Sequence, residues 1–246
     1  MSMPRRVTRT RPKLYFSFRS PYSWMAIERM RRSRPDLFGR VDLYPYWDPD
    51  PVTEQAVKDQ DAEFCYQQMS KAKHLYVLGD TKRLAARLDL RMAWPVDVDP
   101  WWERPHLAWI AASRDGAGER CYDALVAARW TRGENICEAG VLSRATSAAG
   151  LDGDRLAAAA EDPDIRAEGT RALVQAYQDD VFGVPYGYVG RQRFWGFDRM
   201  DLFLSAIAAA DQAAADQAAA AADPLMGVPA GIPMGAYDRD TAGGCG

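Results

Sequence analysis

Strand-forming residues lie near the two ends of this sequence, and a long run of helical patterns separates them. In "KLYFSF" (13–18), Leu14, Phe16 and Phe18 share one face while Tyr15 and Ser17 share the other, as in a strand. Ser-Pro-Tyr-Ser follows at once. Pro21 belongs at a first helical position, where its missing N–H costs nothing, and Ser20 is thereby placed at the N-cap. Trp24, Ile27 and Met30 continue at helical spacing over 22–32, and "GRVDLYPYW" (39–47) reads as a second strand.

"DPDP" (48–51) then reads as a turn or linker. Within 61–90, Cys65, Met69, Ala72 and Tyr76 mark a helical face, which Leu84, Ala85 and Leu88 resume after Gly79. A connection rich in Pro and Trp leads to helices expected over 105–114, 119–130, 138–149 and 164–180. Strand patterns return in 184–190 and 192–196, on either side of a turn at Gly190, as in a hairpin. Asp198 is expected to cap a last helix through Leu202, Phe203 and Ile207. The order strand, helix, strand, helical insert, hairpin, helix is that of an α/β thioredoxin-like fold with a large all-helical insertion. The expected division is a thioredoxin-like domain from 13–48 and 181–210, a helical domain from 49–180, and tails at 1–12 and 211–246. Of the C-terminal tail, 208–223 has high helix propensity and 224–246 is Pro- and Gly-rich and expected to be mobile.

The 246 residues, 48% hydrophobic, suffice for a real core. A net charge of -3 gives no long-range attraction to nucleic acid or anionic membrane, so neither is an expected partner. The basic run "PRRVTRTRPK" is read as a solvated tail and not as a signal peptide, and no apolar run is long enough to span a membrane. Cys65, Cys121, Cys137 and Cys245 show no C-x-x-C spacing and the chain has two histidines, which argues against a zinc site and for reduced thiols in the cytoplasm. Three of the cysteines read as small core residues on helical faces and Cys245 as an exposed tail thiol. His74 and His106 read as structural or surface residues, and Trp101 and Trp102 as core aromatics.

Three positions each admit two readings. Ser20 is either a cap, contributing about 1 kcal/mol, or a hydroxyl that faces a ligand sulfur or anion at a helix N-terminus. Pro185 is either an ordinary trans-proline before a strand or a cis-proline. The cis form would turn the backbone of Val184 outward to pair with an extended ligand. Asp198 and Arg199 are a cap and a surface cation, or together they serve a zwitterion.

"LYFSFRSPYSW" and "VFGVPYGYVGRQRFWGFDRMDLF" together resemble the 2-hydroxychromene-2-carboxylate isomerases and kappa-class glutathione transferases, the DsbA-like branch of the thioredoxin superfamily. "KHLYVLGDTKRLA" (73–85) and "ARWTRGENICEAGVL" (128–142) resemble segments of that family's inserted domain, so the resemblance spans about residues 13–207. It implies that Ser20 faces the sulfur of glutathione or of another low-molecular-weight thiol. Ser23 stands where a disulfide oxidoreductase has its second cysteine. Val184 and Pro185 would hold the cysteinyl part of the thiol, and Asp198 and Arg199 its γ-glutamyl end. Tyr22, Ser23, Trp47 and Trp195 are the expected substrate contacts. The sequence departs from the family at "DPDPVTEQAVKDQ", which lacks the kappa-class Asn, and at Phe197, where a small polar residue is usual.

The implied activity is a thiol-dependent isomerisation or transfer on a conjugated, aromatic or polyketide-type small molecule. Such an enzyme is expected to be cytoplasmic and homodimeric. Two rivals remain at this point: a binding protein that holds an aromatic metabolite with Trp47, Trp101 or Trp195, and a disulfide oxidoreductase, against which the missing C-x-x-C argues.

Overall fold

The computed structural model describes residues 11–37, 39–66 and 69–222. Its four-stranded sheet has the order β2-β1-β3-β4, where β1 is Lys13–Phe16, β2 Asp42–Pro45, β3 Tyr186–Val189 and β4 Gln192–Trp195. β1 pairs parallel with β2, Leu14 opposite Leu43, and antiparallel with β3, Leu14 opposite Gly187. The expected hairpin is present, with Gly190 in its turn at φ +61°. Because β1 is central, both of its faces are buried, and the expected alternation of an inner and an outer face does not hold. Tyr15 is as buried as Phe16, and it donates its hydroxyl to Asp179. Phe16 packs edge-on against Trp109 and Tyr122 of the helical insert. Gly187 lets the Phe203 ring close on β3, since a Cβ there would lie 2.5 Å from that ring.

Helix α1, Pro21–Ser33, begins as its sequence dictates: Ser20 is the N-cap and Pro21 the first helical residue. It buries Trp24, Met25, Ile27 and Met30, with Trp24 stacked on Trp130.

The insert departs from the sequence reading in three places. First, "DPDP" is no linker, because Asp50 caps α2, Pro51–Lys58, with Pro51 in the first turn. Second, Cys65 and Met69 precede α3, Lys71–Arg87, whose cap is Ser70. Tyr76 on that helix is 63% exposed, and the buried residues are Thr81 and Ala85. The helix runs unbroken through Gly79, a residue that weakens a helix without ending it. Third, a helix not expected from the sequence, Gly153–Ala158, lies against its predecessor Ala139–Ala148.

In chain order the remaining helices are α4 (Glu103–Arg114), α5 (Gly118–Val126), α6 (Ala139–Ala148), α7 (Gly153–Ala158), α8 (Pro163–Gln178) and α9 (Met200–Ala222). α5 runs on into a π-helical turn at Ala127–Thr131. Up to Ile207 the described residues form one compact unit; from Ala208 the rest of α9 belongs to a second. The basic run as far as residue 10, and the stretch 224–246 with Cys245, lie outside the described residues.

Asp198 does not cap α9. A single 3-10 turn, Phe197–Arg199, precedes that helix, and the Asp198 carboxylate accepts a 2.5 Å hydrogen bond from Arg199 instead. Cys121 and Cys137 are buried as expected, although Cys137 lies in a turn; Cys65 is half-buried and outside any helix. Trp102 is buried, whereas Trp101 is half-exposed and donates to Asp50. His74 is exposed on α3, and His106 is fully buried on α4. Among the described residues no helix is long and apolar enough to cross a membrane, and no group of acidic, His or Cys side chains could hold a metal.

Candidate functional site

The turn between β1 and α1 presents Ser20 half-exposed at the N-cap. Its Oγ accepts a 3.1 Å hydrogen bond from Ser23 N–H, and its own N–H donates to the Ser17 carbonyl at 3.1 Å. The Ser20 oxygen is therefore engaged as an acceptor, and its hydroxyl proton has no acceptor among the described residues. Tyr22 N–H, on the first turn, has no partner among the described residues. A hydroxyl donor and a helix N-terminal amide together favour an anion such as a thiolate.

Two residues on, Tyr22 lines a pocket of about 580 Å³. The pocket brings together Tyr22, Val184, Pro185, Trp195 and Asp198, all singled out in the sequence, with Val184–Pro185 in the cis form. Gly196 also lines it, its N–H bound to the Pro185 carbonyl at 2.9 Å. Its φ of +96° places it where a side chain is strained.

Other expected residues lie elsewhere. Ser23 is buried, with its Oγ accepting from Ser17 N–H at 3.2 Å. Trp47 is buried, its indole N–H donating to Glu103 at 2.6 Å and its ring stacked on His106. Neither lines the pocket, and nor do Ser20 and Arg199; Ser20 stands two residues before the lining residue Tyr22.

The structure adds wall residues that the sequence did not assign to the site. Asp80, Leu84 and Arg87 come from α3, Leu88 from its C-cap, and Arg29 from α1. Tyr22 donates its hydroxyl to Asp80 at 2.7 Å, and burial followed by that bond holds the phenol well above its usual pKa. Arg29 grips Asp201 with two hydrogen bonds, at 2.9 and 2.7 Å, and Arg83 binds Asp80 at 3.0 Å. Arg87 has no hydrogen bond or ion pair among the described residues. Trp195 is half-exposed against Phe182, so an aromatic surface faces the opening.

No thiol of the described chain is set up for exchange. Burial raises the pKa of Cys65 and pushes Cys121 and Cys137 up to about 12, where a thiol is unreactive at neutral pH.

The family model for the DSBA-like thioredoxin domain matches residues 13–208. A 2-hydroxychromene-2-carboxylate isomerase from Sphingobium xenophagum is 27% identical over 195 residues, covering 78% of this chain and 94% of its own length. A solved structure of 2-hydroxychromene-2-carboxylate isomerase superposes with a TM-score of 0.66 at 19% identity, covering 84% of this chain and 98% of that one. A probable DsbA oxidoreductase from Streptomyces coelicolor superposes at 0.58 with 19% identity, over 80% and 87%. With the family model matching most of its length, the chain belongs to the DsbA-like thioredoxin family.

Proposed function

We propose that the protein is a thiol-dependent isomerase acting on a conjugated aromatic compound, with glutathione or a similar small thiol as cofactor. The observation that carries this reading is Ser20, a half-exposed N-cap whose hydroxyl has no acceptor among the described residues, with Ser23 in place of a second cysteine. The likeness to a 2-hydroxychromene-2-carboxylate isomerase over most of both chains supports an isomerase or thiol-related role.

The residues present fit a thiol cofactor. Ser20 and Tyr22 N–H supply donors for a thiolate, and Val184 and Pro185 line the adjoining pocket. Asp198, which lines the pocket, presents the negative charge that a γ-glutamyl ammonium needs, while Arg199 pairs with it from outside the lining. When bound, the thiol supplies the nucleophile, adding reversibly to the conjugated carbonyl compound so that a double bond becomes rotatable and then re-forms. The chain's part is electrostatic and positional. Ser20 donates to the sulfur, which lowers the thiol pKa and keeps the anion present. Leu84, Leu88, Phe197 and Trp195 give the pocket apolar surface that accommodates an aromatic body.

The test is turnover of 2-hydroxychromene-2-carboxylate, followed by absorbance, with and without glutathione. Saturable, thiol-dependent isomerisation supports the proposal. Binding of the compound without turnover at any thiol concentration would make the protein a binding protein instead.

A further inference from the structure

His106 lies on α4, far along the chain from the Ser20 turn, and its ring is fully buried. Its Nδ1 is 2.7 Å from the Trp102 carbonyl, which can only accept, so Nδ1 carries the proton and Nε2 offers a lone pair. Phe18 N–H points into that lone pair at 3.1 Å, and the Ser17 hydroxyl lies 3.2 Å from it. Ser17 Oγ also accepts from Arg19 N–H at 3.2 Å. The link continues through the backbone of Ser17, whose N–H donates to Ser23 Oγ and whose carbonyl accepts from Ser20 N–H. Ser23 N–H then donates to Ser20 Oγ.

A histidine needed only to fill space could satisfy its nitrogens anywhere. This one sets its single acceptor against consecutive residues of the turn, where neither strand nor helix supplies one. The ring cannot swing away, because Trp47 stacks on it with centroids 5.1 Å apart and planes at 12°, and Trp47 is itself anchored to buried Glu103.

We propose that His106 is the positioning residue for Ser20, acting through Ser17 and Phe18 to fix the direction of the Ser20 hydroxyl. The inference rests on the reading of Ser20 as the thiol-binding group.

Two measurements on the full-length protein test it. The first needs no ligand: amide hydrogen exchange in wild type and His106→Leu. Exchange at Ser20 and Ser23 should rise roughly tenfold or more while the amides of β3 hold their rates, since a local opening is being made easier. Unchanged exchange at Ser20 and Ser23 overturns the proposal whatever the activity does. The second is a cycle with glutathione and 2-hydroxychromene-2-carboxylate. His106→Leu should lower kcat roughly ten- to a hundredfold in wild type with KM nearly unchanged, yet less than twofold in a Ser20→Ala background. An equal loss in both backgrounds would reduce His106 to general support of the fold and overturn the proposal.

If Ser20→Ala itself keeps full turnover, the reading of Ser20 fails and its positioning role falls with it, even where exchange shows that His106 holds the turn. Should His106→Leu not fold, Ser17→Ala replaces it in both measurements, removing one of the two links between the turn and the ring together with the acceptor of Arg19 N–H.

Discussion

Tyr22 donates its hydroxyl to Asp80 across 2.7 Å, joining the first turn of α1 to the middle of α3. That bond closes one wall of the pocket between the thioredoxin core and its helical insert. It also takes Tyr22 out of the chemistry, since a phenol already donating to a carboxylate and held above its usual pKa is a poor proton source. Tyr22→Phe should therefore keep kcat within about threefold and cost roughly 1 kcal/mol of stability. A thermal melt and a rate assay check both; a large fall in kcat would make Tyr22 an acid.

Asp198→Asn addresses the cofactor. Asp198 caps no helix, so the substitution should leave stability nearly unchanged. If the carboxylate receives a γ-glutamyl ammonium, losing the charge should weaken glutathione about ten- to a hundredfold, the equivalent of roughly 1.5–3 kcal/mol. Calorimetric titration of both proteins measures this directly. Equal affinities would remove Asp198 from the thiol site.

The buried, neutral His106 makes stability depend on pH. Burial lowers its pKa from 6.5 to about 3, so the unfolded chain takes up a proton over this range that the folded chain refuses. Its contribution is complete above 6.5 and is lost as pH falls toward 3. Between pH 7 and 4.5, urea unfolding should show wild type losing about 2–3 kcal/mol more than His106→Gln. Glu103, whose pKa burial raises, works in the opposite direction but is common to both proteins. Parallel pH profiles would mean that His106 is protonated in the folded protein.

Reduction of insulin disulfides with dithiothreitol should not be accelerated. Positions 20 and 23 are serines, and Cys121 and Cys137 are buried with raised pKa values. Catalysis well above the uncatalysed rate would contradict the assignment of the site to thiol binding.

What could be read from the sequence was mostly local. Ser20–Pro21 announced α1 because a cap and a first-turn proline act within one turn, and Gly190 announced the hairpin for a similar reason. Asp50–Pro51 is the same arrangement and was hidden by its Pro-Asp-Pro surroundings. Cys65 and Met69 imitate a helical period, yet Ser70 sets the true start of α3. The wall contributed by α3 and by Arg29 was out of reach, because Tyr22 meets Asp80 and Arg29 meets Asp201 only after the chain has folded back. Trp47 illustrates the reverse: it was expected among the substrate contacts, and it lies in the core with its indole N–H donated to the buried Glu103 carboxylate.

The most direct test of the central claim is turnover by Ser20→Ala across the pH range at saturating glutathione. The lost cap should cost about 1 kcal/mol of stability, leaving the protein folded. The lost donor should lower kcat roughly a hundredfold or more and move the thiol's apparent pKa upward. Wild-type turnover with an unmoved pH profile would show that Ser20 only caps its helix.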